Sequence, residues 1–163
     1  MKTAYAILIT MFLLSACAAP QPVQMQSTFD AELHKPFIQD GTGSIKGQGF
    51  LRQQGGGVVT CAGNPATMYP ATQFFKEAVS ILAAGREPQQ GTNLNEGYGK
   101  LLKTSQCDAQ GNFTFTGLPA GNWLVLTEVV WVIGHQRQGG VLMREVTVGD
   151  GEAQVLLTDS DRL

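Results

Sequence analysis

The chain has 163 residues, of which 43% are hydrophobic and 15% charged, and its formal net charge is −2. This length fits one domain with its own core. The charge is low and no cluster of Lys and Arg occurs, which excludes the basic surface that nucleic-acid binding requires. We therefore expect a single domain and no nucleic-acid partner.

Residues 1–17 are predicted to be a lipoprotein signal peptide. Lys2 gives a positive start, and residues 4–14 form an apolar run too short for a permanent membrane span. Leu14-Ser15-Ala16-Cys17 resembles the bacterial lipobox, in which the Cys thiol is acylated and becomes the first mature residue. The alternative is an ordinary signal peptide with Cys17 as a bystander. The resemblance implies a membrane partner through a lipid anchor, and Ala18, in place of an Asp, implies the outer membrane.

Residues 18–40 contain three prolines and several Gln without sustained periodicity, which predicts a flexible tether. An alternative is a short docking segment around the stem of His34, formed by Phe29, Leu33, Phe37 and Ile38. We expect His34 to be structural rather than a metal ligand, because a zinc site needs three or four partners and His135 is distant in sequence.

The folded domain is predicted to span residues 41–163. Ile45 alternates with Lys46 and Gln48 in a first strand over residues 44–52, which a turn at residues 55–57 follows. This run of three glycines is not a phosphate loop, because no Lys-Ser or Lys-Thr pair follows it. Strands are expected from residue 58 and within residues 64–70.

Cys61 and Cys107 remain for pairing once Cys17 is lipidated. In an oxidising compartment this number favours a structural disulfide between them. A redox pair would normally be spaced Cys-x-x-Cys, and a metal site would need further ligands, so both alternatives are weaker.

Between these cysteines the sequence predicts one helix and one long loop. Apolar residues recur at three- and four-residue spacing over residues 74–82, with Thr72 as the expected cap and Gly85 at the end. Residues 86–99 lack periodicity, and we expect an exposed loop that is either mobile or a recognition surface. Residues 100–106 are predicted to form a strand. The residues proposed for recognition in the loop are Asn93, Asn95, Glu96 and Tyr98.

Residues 107–132 carry the strongest pattern of the chain. Phe113 and Phe115 alternate with threonines, and a turn over residues 117–121 leads to a run from Trp123 to Val132 that is apolar on both faces. We interpret this unit as an antiparallel hairpin whose second strand is covered on both sides, by the rest of the sandwich and by the helix.

At these residues the sequence resembles the carboxypeptidase regulatory-like, or prealbumin-like, domains. Their pattern Asp-x-x-Gly-x-Phe-x-Phe, followed by Leu-Pro-x-Gly-x-aromatic, is matched by Asp108, Gly111, Phe113, Phe115, Leu118, Pro119, Gly121 and Trp123. The resemblance implies a Greek-key β-sandwich. It implies no peptidase activity, because the catalytic domain of the metallocarboxypeptidases, with its zinc-binding motif, is absent.

The remaining elements complete the predicted fold. Residues 134–140 are expected to form a polar crossing, residues 141–148 a strand, residues 149–151 a hairpin turn, residues 153–157 the last strand and residues 158–163 a charged tail. The fold class predicted is therefore mainly β: a seven-stranded, antiparallel, Greek-key sandwich with one short helix.

No motif of a hydrolase, a nucleotide-binding protein or a metalloprotein occurs in the chain. Glu128 interrupts an apolar face and is expected to be exposed or ion-paired. A Lys46 isopeptide cross-link assisted by Glu128, as in some adhesins of this architecture, is disfavoured because residues 153–157 contain no Asn. We therefore expect no catalytic residues, no metal and no cofactor.

Two functions follow from these patterns. The favoured one is a non-catalytic envelope lipoprotein for binding or scaffolding, with a possible envelope protein partner. The alternative is a small-substrate periplasmic hydrolase of transthyretin-like type, built on Glu128, His135 and Arg137. The transthyretin-like hydroxyisourate hydrolases end in Tyr-Arg-Gly-Ser, whereas this chain ends in Asp-Ser-Asp-Arg-Leu.

Overall fold

The computed structural model describes residues 21–89 and 98–163. Within these residues the fold is mainly β, as predicted, but it has ten strands and three α-helices. The strands are β1 (Val23–Gln24), β2 (Gly43–Arg52), β3 (Val58–Thr60), β4 (Pro65–Pro70), β5 (Pro88–Gln89), β6 (Lys103–Gln106), β7 (Asn112–Leu118), β8 (Gly121–Ile133), β9 (Gln136–Val148) and β10 (Glu152–Leu157). The helices are α1 (Ala31–His34), α2 (Gln73–Ala83) and α3 (Tyr98–Leu101).

Eight of the strands form two four-stranded sheets. In the first sheet β2 is central: β7 and β3 pair with it in antiparallel fashion, and β10 pairs with it in parallel. The second sheet has the order β6-β4-β8-β9 and is antiparallel throughout. The short strands β1 and β5 form a separate parallel pair. The predicted count of seven and the purely antiparallel pairing are therefore both wrong.

The predicted hairpin over residues 107–132 is also wrong. Strand β7 pairs with β2 in the first sheet, whereas β8 pairs with β4 and β9 in the second. Both edges of β8 are thus occupied, and none is left for β7. The connection at residues 119–120 carries the chain across the sandwich, and it follows Gly117, which has a φ of +68° near the end of β7.

A long hairpin forms instead between β8 and β9, where the sequence predicts a polar crossing. Thirteen residue pairs run from Gly121 opposite Val148 to Ile133 opposite Gln136. Gly134 closes the hairpin with a φ of +61°, a left-handed conformation that glycine adopts without steric cost. The turn at residues 149–151 instead joins β9 to β10 in the other sheet, so it is not a hairpin turn either.

The main hydrophobic core lies between the two sheets. Alternate residues of each strand point into it, as the period of two requires. The largest side chains from the first sheet are Ile45, Leu51, Phe113, Phe115 and Leu118, and those from the second are Met68, Trp123, Val125, Val129 and Leu142. The candidate site described below lies at one end of this sandwich.

A second core lies on the outer face of the second sheet. Helix α2 places Phe74, Phe75 and Val79 against this face, where Leu124 of β8 is also buried. This confirms the expectation that the helix covers one of the two apolar faces of the Trp123 strand. Gly85, with a φ of +69°, follows the helix as predicted, but the Thr72 side chain makes no capping hydrogen bond.

The segment predicted to be a flexible tether packs against the domain in its described part. Residues 23–38, which we call the N-terminal strap, contain β1 paired with β5, a buried Met25 and a buried His34. The alternative of a docking segment is correct for Phe29, Phe37 and Ile38, which pack on the second core, but not for Leu33, which is 56% exposed. The strap is ordered because it buries aromatic surface, which outweighs the polar composition of the segment.

The disulfide between Cys61 and Cys107 is present, as predicted, with a Cα–Cα distance of 5.8 Å. Both residues are buried. Cys61 lies where the chain passes from β3 to β4, and Cys107 lies where it passes from β6 to β7. Each of these connections crosses from one sheet to the other, so the bond ties the two crossings together.

Candidate functional site

A polar recess of about 440 Å³ opens at one end of the sandwich. Four segments meet there: the end of β2, the β2–β3 turn, the β8–β9 hairpin and the C-terminus. We call it the Trp131 groove. Its lining residues are Arg52, Gln53, Gln54, Gly55, Trp131, Ile133, Gln138, Gly139 and Arg162.

Trp131 forms the apolar wall of the Trp131 groove. Its ring is half-buried and packs on the main core. Its indole N–H is buried and has no hydrogen-bond partner among the described residues. A large aromatic face with a polar edge is suited to ligands that present both apolar and polar surface.

The backbone of the C-terminus positions Arg162 over β9. The chain pairs with the strand at Leu142, and the amide of Leu163 donates to the Val141 carbonyl at 3.0 Å. The Arg162 side chain donates to the Gly139 carbonyl. A Cβ atom at Gly140 would lie 3.3 Å from the Arg162 Nε atom, so this bare stretch of strand seats the guanidinium.

Arg52 enters the groove from the other sheet. Its guanidinium carbon lies 5.7 Å from the centre of the Phe50 ring, within the range of a cation–π contact. Its backbone amide donates to Asp159 Oδ2 at 3.2 Å. The arginine is therefore anchored at its main chain while its side chain is exposed.

A second recess of about 660 Å³ lies on the first sheet and has a different character. Its cations are Lys46, paired with Glu152 at 2.8 Å, and Arg144, paired with Asp161 at 2.7 Å. The hydrogen bond to Asp161 raises the pKa of Arg144. The aromatic ring in its lining, Phe113, belongs to the main core and offers almost no free face, since its exposed fraction is 3%. The Trp131 groove is the better candidate for a ligand with polar and apolar faces.

A third recess, of about 380 Å³, is mainly apolar and lies between α2 and the second sheet. Val79, Leu82 and Leu126 line it, with Tyr69 at its base. Burial raises the pKa of the Tyr69 phenol, and the neighbouring Tyr98 adds to the rise. This phenol therefore stays neutral at physiological pH.

The groups proposed for a hydrolase do not meet in any of the three recesses described above. Glu128 accepts a hydrogen bond from Arg137 at 2.6 Å, and both side chains are substantially exposed. Glu128 lines the apolar recess, which Arg137 and His135 do not line. The prediction of an exposed or ion-paired Glu128 is confirmed.

The other residues that the sequence singles out fall in different places. Asn93, Asn95 and Glu96 lie outside the described residues, as does Cys17. Tyr98 is in α3 and packs its ring 5.8 Å from that of Phe75, so it belongs to the second core. Lys46 pairs with Glu152 rather than approaching Glu128.

Potential metal ligands do not cluster in residues 21–89 and 98–163. Within these ranges His, Cys, Asp and Glu form no group of three or more able to hold a metal ion. No helix in the same ranges has the length and apolar character needed to cross a membrane.

Local sequence patterns do not reveal the Trp131 groove, because its residues come from four distant segments. The pattern places Trp131 on the apolar face of a strand, and Arg162 in a charged tail. The available signal is the pair Gly139-Gly140 within a strand, since glycine in a strand often marks the close approach of another group.

Comparison with known proteins gives a likeness to a solved structure. No family model matches the chain, and no curated protein matches it significantly. A crystal structure from Pseudomonas aeruginosa, described as that of a "putative carbohydrate binding protein", superposes with a TM-score of 0.64 at 26% sequence identity. The match covers 80% of this chain and 97% of that one. The chain is therefore similar in fold, over most of its length, to a protein to which carbohydrate binding has been ascribed.

Proposed function

We propose that this chain is a non-catalytic, lipid-anchored binding protein of the bacterial cell envelope, and that it binds carbohydrate in the Trp131 groove. The observation that carries the proposal is the meeting of the Trp131 ring with amide and guanidinium side chains in one recess. The likeness to the Pseudomonas aeruginosa structure supports the same ligand class.

The chemistry of the groove suits a sugar. A pyranose ring presents C–H groups on its faces and hydroxyls around its edge. An indole face packs against the C–H groups. Gln amides and Arg guanidiniums form hydrogen bonds with the hydroxyls. Binding sites commonly combine apolar walls with a few well-placed polar groups in this way.

The envelope location rests on the sequence. Leu14-Ser15-Ala16-Cys17 supports acylation of Cys17 and an anchor in the outer membrane. The match of residues 108–123 to the carboxypeptidase regulatory-like pattern supports membership of that family and a Greek-key arrangement of the sandwich. The proposed lipid anchor and the proposed family membership do not depend on which ligand the groove binds.

A binding role is supported over hydrolysis by the state of the polar groups. Arg137 neutralises Glu128 on an exposed surface, and His135 is exposed in the β8–β9 turn. A catalytic acid or base needs to face a bound substrate at hydrogen-bond distance, and these three groups do not together line any of the three recesses formed by the described residues.

The test is saccharide binding by the detergent-solubilised full-length protein, measured by isothermal titration calorimetry after a glycan-array screen. Trp131→Ala and Gln138→Ala should each weaken binding about tenfold, the effect of losing roughly 1.4 kcal/mol. Because Trp131 packs on the core, Trp131→Phe serves as a variant that keeps an aromatic ring there. Val132→Ala, at a position that is 66% exposed on the opposite face of β8, is the matched control.

Three results would contradict the proposal. One is unchanged affinity in both groove variants. Another is loss of binding on narrowing the apolar recess, for example in Leu82→Trp, with the Trp131 groove variants unaffected. Failure of the array to detect any saccharide ligand would also count against it.

A further inference from the structure

We infer that the saccharide recognised by the Trp131 groove is acidic, carrying carboxylate or phosphate groups. This inference rests on the proposed function and names the class of ligand for the same site. It follows from the two arginines that line the groove and from the fact that neither forms an ion pair among the described residues.

The groove has two cations and no acidic side chain among its lining residues. Arg52 and Arg162 both line it, one from each side. The carboxylate bonded to Arg52, that of Asp159, accepts from the backbone amide of the arginine and not from its guanidinium. The recess is therefore positively charged on a chain whose net charge is −2.

Ion pairs neutralise half of the ten Lys and Arg side chains in the described residues. Five ion pairs form between described residues, and they neutralise Lys35, Lys46, Lys76, Arg137 and Arg144. Within the same described ranges, Arg52, Arg86, Lys100, Lys103 and Arg162 belong to no ion pair, and of these Arg52 and Arg162 line the groove. The charges of these two arginines are thus available to a ligand.

The guanidinium of Arg162 is held in place without losing its charge. It donates to the Gly139 carbonyl, which uses part of a group that carries five N–H donors. Gly139 has a φ of +93°, and a Cβ atom there would meet the Val129 carbonyl oxygen at 2.0 Å. This position therefore requires glycine, and the strand keeps an accessible carbonyl and a bare surface under the arginine.

Arginine is suited to acidic ligands for a geometric reason. Its planar fork matches the two oxygens of a carboxylate or phosphate, and such charge-assisted hydrogen bonds are stronger than neutral ones. A neutral sugar would use only single hydrogen bonds to these groups. Two arginines on opposite sides of one recess would then discriminate in favour of acidic residues spaced along a saccharide.

Calorimetry with matched saccharides tests the inference. The probes are hexagalacturonate, its fully methyl-esterified form, maltohexaose, glucose 6-phosphate and inorganic phosphate. We expect hexagalacturonate or glucose 6-phosphate to bind at least tenfold more tightly than the two neutral hexasaccharides. Whichever of these two acidic probes binds more tightly shows whether the groove prefers carboxylate or phosphate. Binding of the acidic probe should weaken as the NaCl concentration is raised, because salt screens exposed charges.

Charge variants assign the preference to the groove. Arg52→Gln and Arg162→Gln together should abolish the preference for the acidic probe, because acidic binding should weaken at least tenfold more than the binding of neutral saccharide, which loses only single hydrogen bonds. Arg86→Gln, at an exposed arginine outside the groove, removes one positive charge, as each groove substitution does, and should have no effect. Gly140→Ala, which would crowd the Arg162 Nε atom, should weaken acidic binding more than neutral binding.

The outcomes separate the two proposals. Equal affinity for hexagalacturonate and its methyl ester, without preference for glucose 6-phosphate, would overturn the acidic ligand and leave carbohydrate binding intact. Binding of inorganic phosphate as tightly as any saccharide would show a simple anion site and overturn both. Absence of binding to every probe would also overturn both.

Discussion

His34 and Thr72 join the N-terminal strap to the body of the protein: the His34 Nε2 atom lies 2.9 Å from Thr72 Oγ1. The other ring nitrogen, Nδ1, lies 2.5 Å from the carbonyl oxygen of Asp30 and must donate to it. Nε2 is therefore the acceptor in the neutral ring, and the Thr72 hydroxyl donates. The Thr72 hydroxyl is thus used to hold the strap, and it makes no capping hydrogen bond at the start of α2.

The first prediction concerns the stability of this contact. His34 is 2% exposed and stacks on Phe29 with ring centroids 4.7 Å apart. His34→Ala should lower the free energy of unfolding by about 2–4 kcal/mol, since it removes buried ring packing and a hydrogen bond. Urea denaturation measures the change. Leu33→Ala, at the adjacent exposed position, should change it by less than about 0.5 kcal/mol.

Thr72→Val tests the hydrogen bond separately from the packing. It keeps the shape of the side chain but leaves the buried His34 nitrogen without its donor, which should cost about 1–3 kcal/mol. A variant as stable as the wild type would mean that the 2.9 Å contact contributes nothing to holding the strap.

The second prediction concerns acid release of the strap. Glu77 on α2 accepts from the Gln26 amide at 2.6 Å and from the Ser27 amide at 2.8 Å. The Gln26 amide, followed by the side chain and amide of Ser27, lowers the pKa of Glu77 below its ordinary value of 4.5. Because the pKa is lower in the docked state, the stabilisation is full above the ordinary value and is lost as the pH falls through the docked-state pKa.

Amide hydrogen exchange at Gln26 and Ser27 measures this effect. After correction for intrinsic rates, protection should decrease below pH 4.5. Glu77→Gln should reduce protection at neutral pH and remove most of the pH dependence. Glu145→Gln, which alters a carboxylate bonded to Lys76 instead, is the control. Protection in Glu77→Gln that matched the wild type at every pH would refute the assigned role.

The third prediction concerns the disulfide. Replacing Cys61 and Cys107 together with Ser should lower the free energy of unfolding by roughly 4 kcal/mol, from the chain-entropy cost of a loop of 46 residues. Thermal unfolding under non-reducing conditions measures the loss. The wild type in reductant should approach the double variant, and if reductant had no effect the bond would not be the stabilising element.

The fourth prediction concerns Cys17. Cys17→Ser should move the protein from the membrane fraction to the soluble or mislocalised fraction, because the acyl acceptor is lost. Each methylene of a buried acyl chain contributes about 0.8 kcal/mol to membrane binding. The double replacement of Cys61 and Cys107 makes the same chemical change elsewhere and should remain membrane-bound. Unchanged fractionation of Cys17→Ser would exclude lipidation as the anchor.

The strands themselves can be predicted from local periodicity, but their partners cannot. Phe113 and Phe115 alternate with polar residues, and both are buried as this pattern indicates. The turn at Gly117 looks the same in sequence whether the chain returns beside its own strand or crosses to the facing sheet. Only the competition for strand edges decides this, and it involves β2, β4 and β9 at once.

Neither the packing of the strap nor the groove could be predicted from the sequence, because both depend on contacts that no local pattern shows. Met25 and His34 are buried at positions with no regular spacing, so the polar composition around them suggests a tether. Arg52 and Arg162 are separated by more than one hundred residues, and each alone is an ordinary surface arginine. Their proximity depends on the C-terminal turn, where Asp161 accepts from Arg144 at 2.7 Å.

Because the strap packs on the domain, it limits the distance that could separate the domain from an acyl anchor on Cys17. Only residues 18–22 separate Cys17 from Val23, where β1 begins, and six fully extended steps span about 20 Å. A protein anchored in this way would work close against the lipid headgroups, not at the end of a stalk. The glycans within its reach would then be those rooted in, or lying upon, the same leaflet.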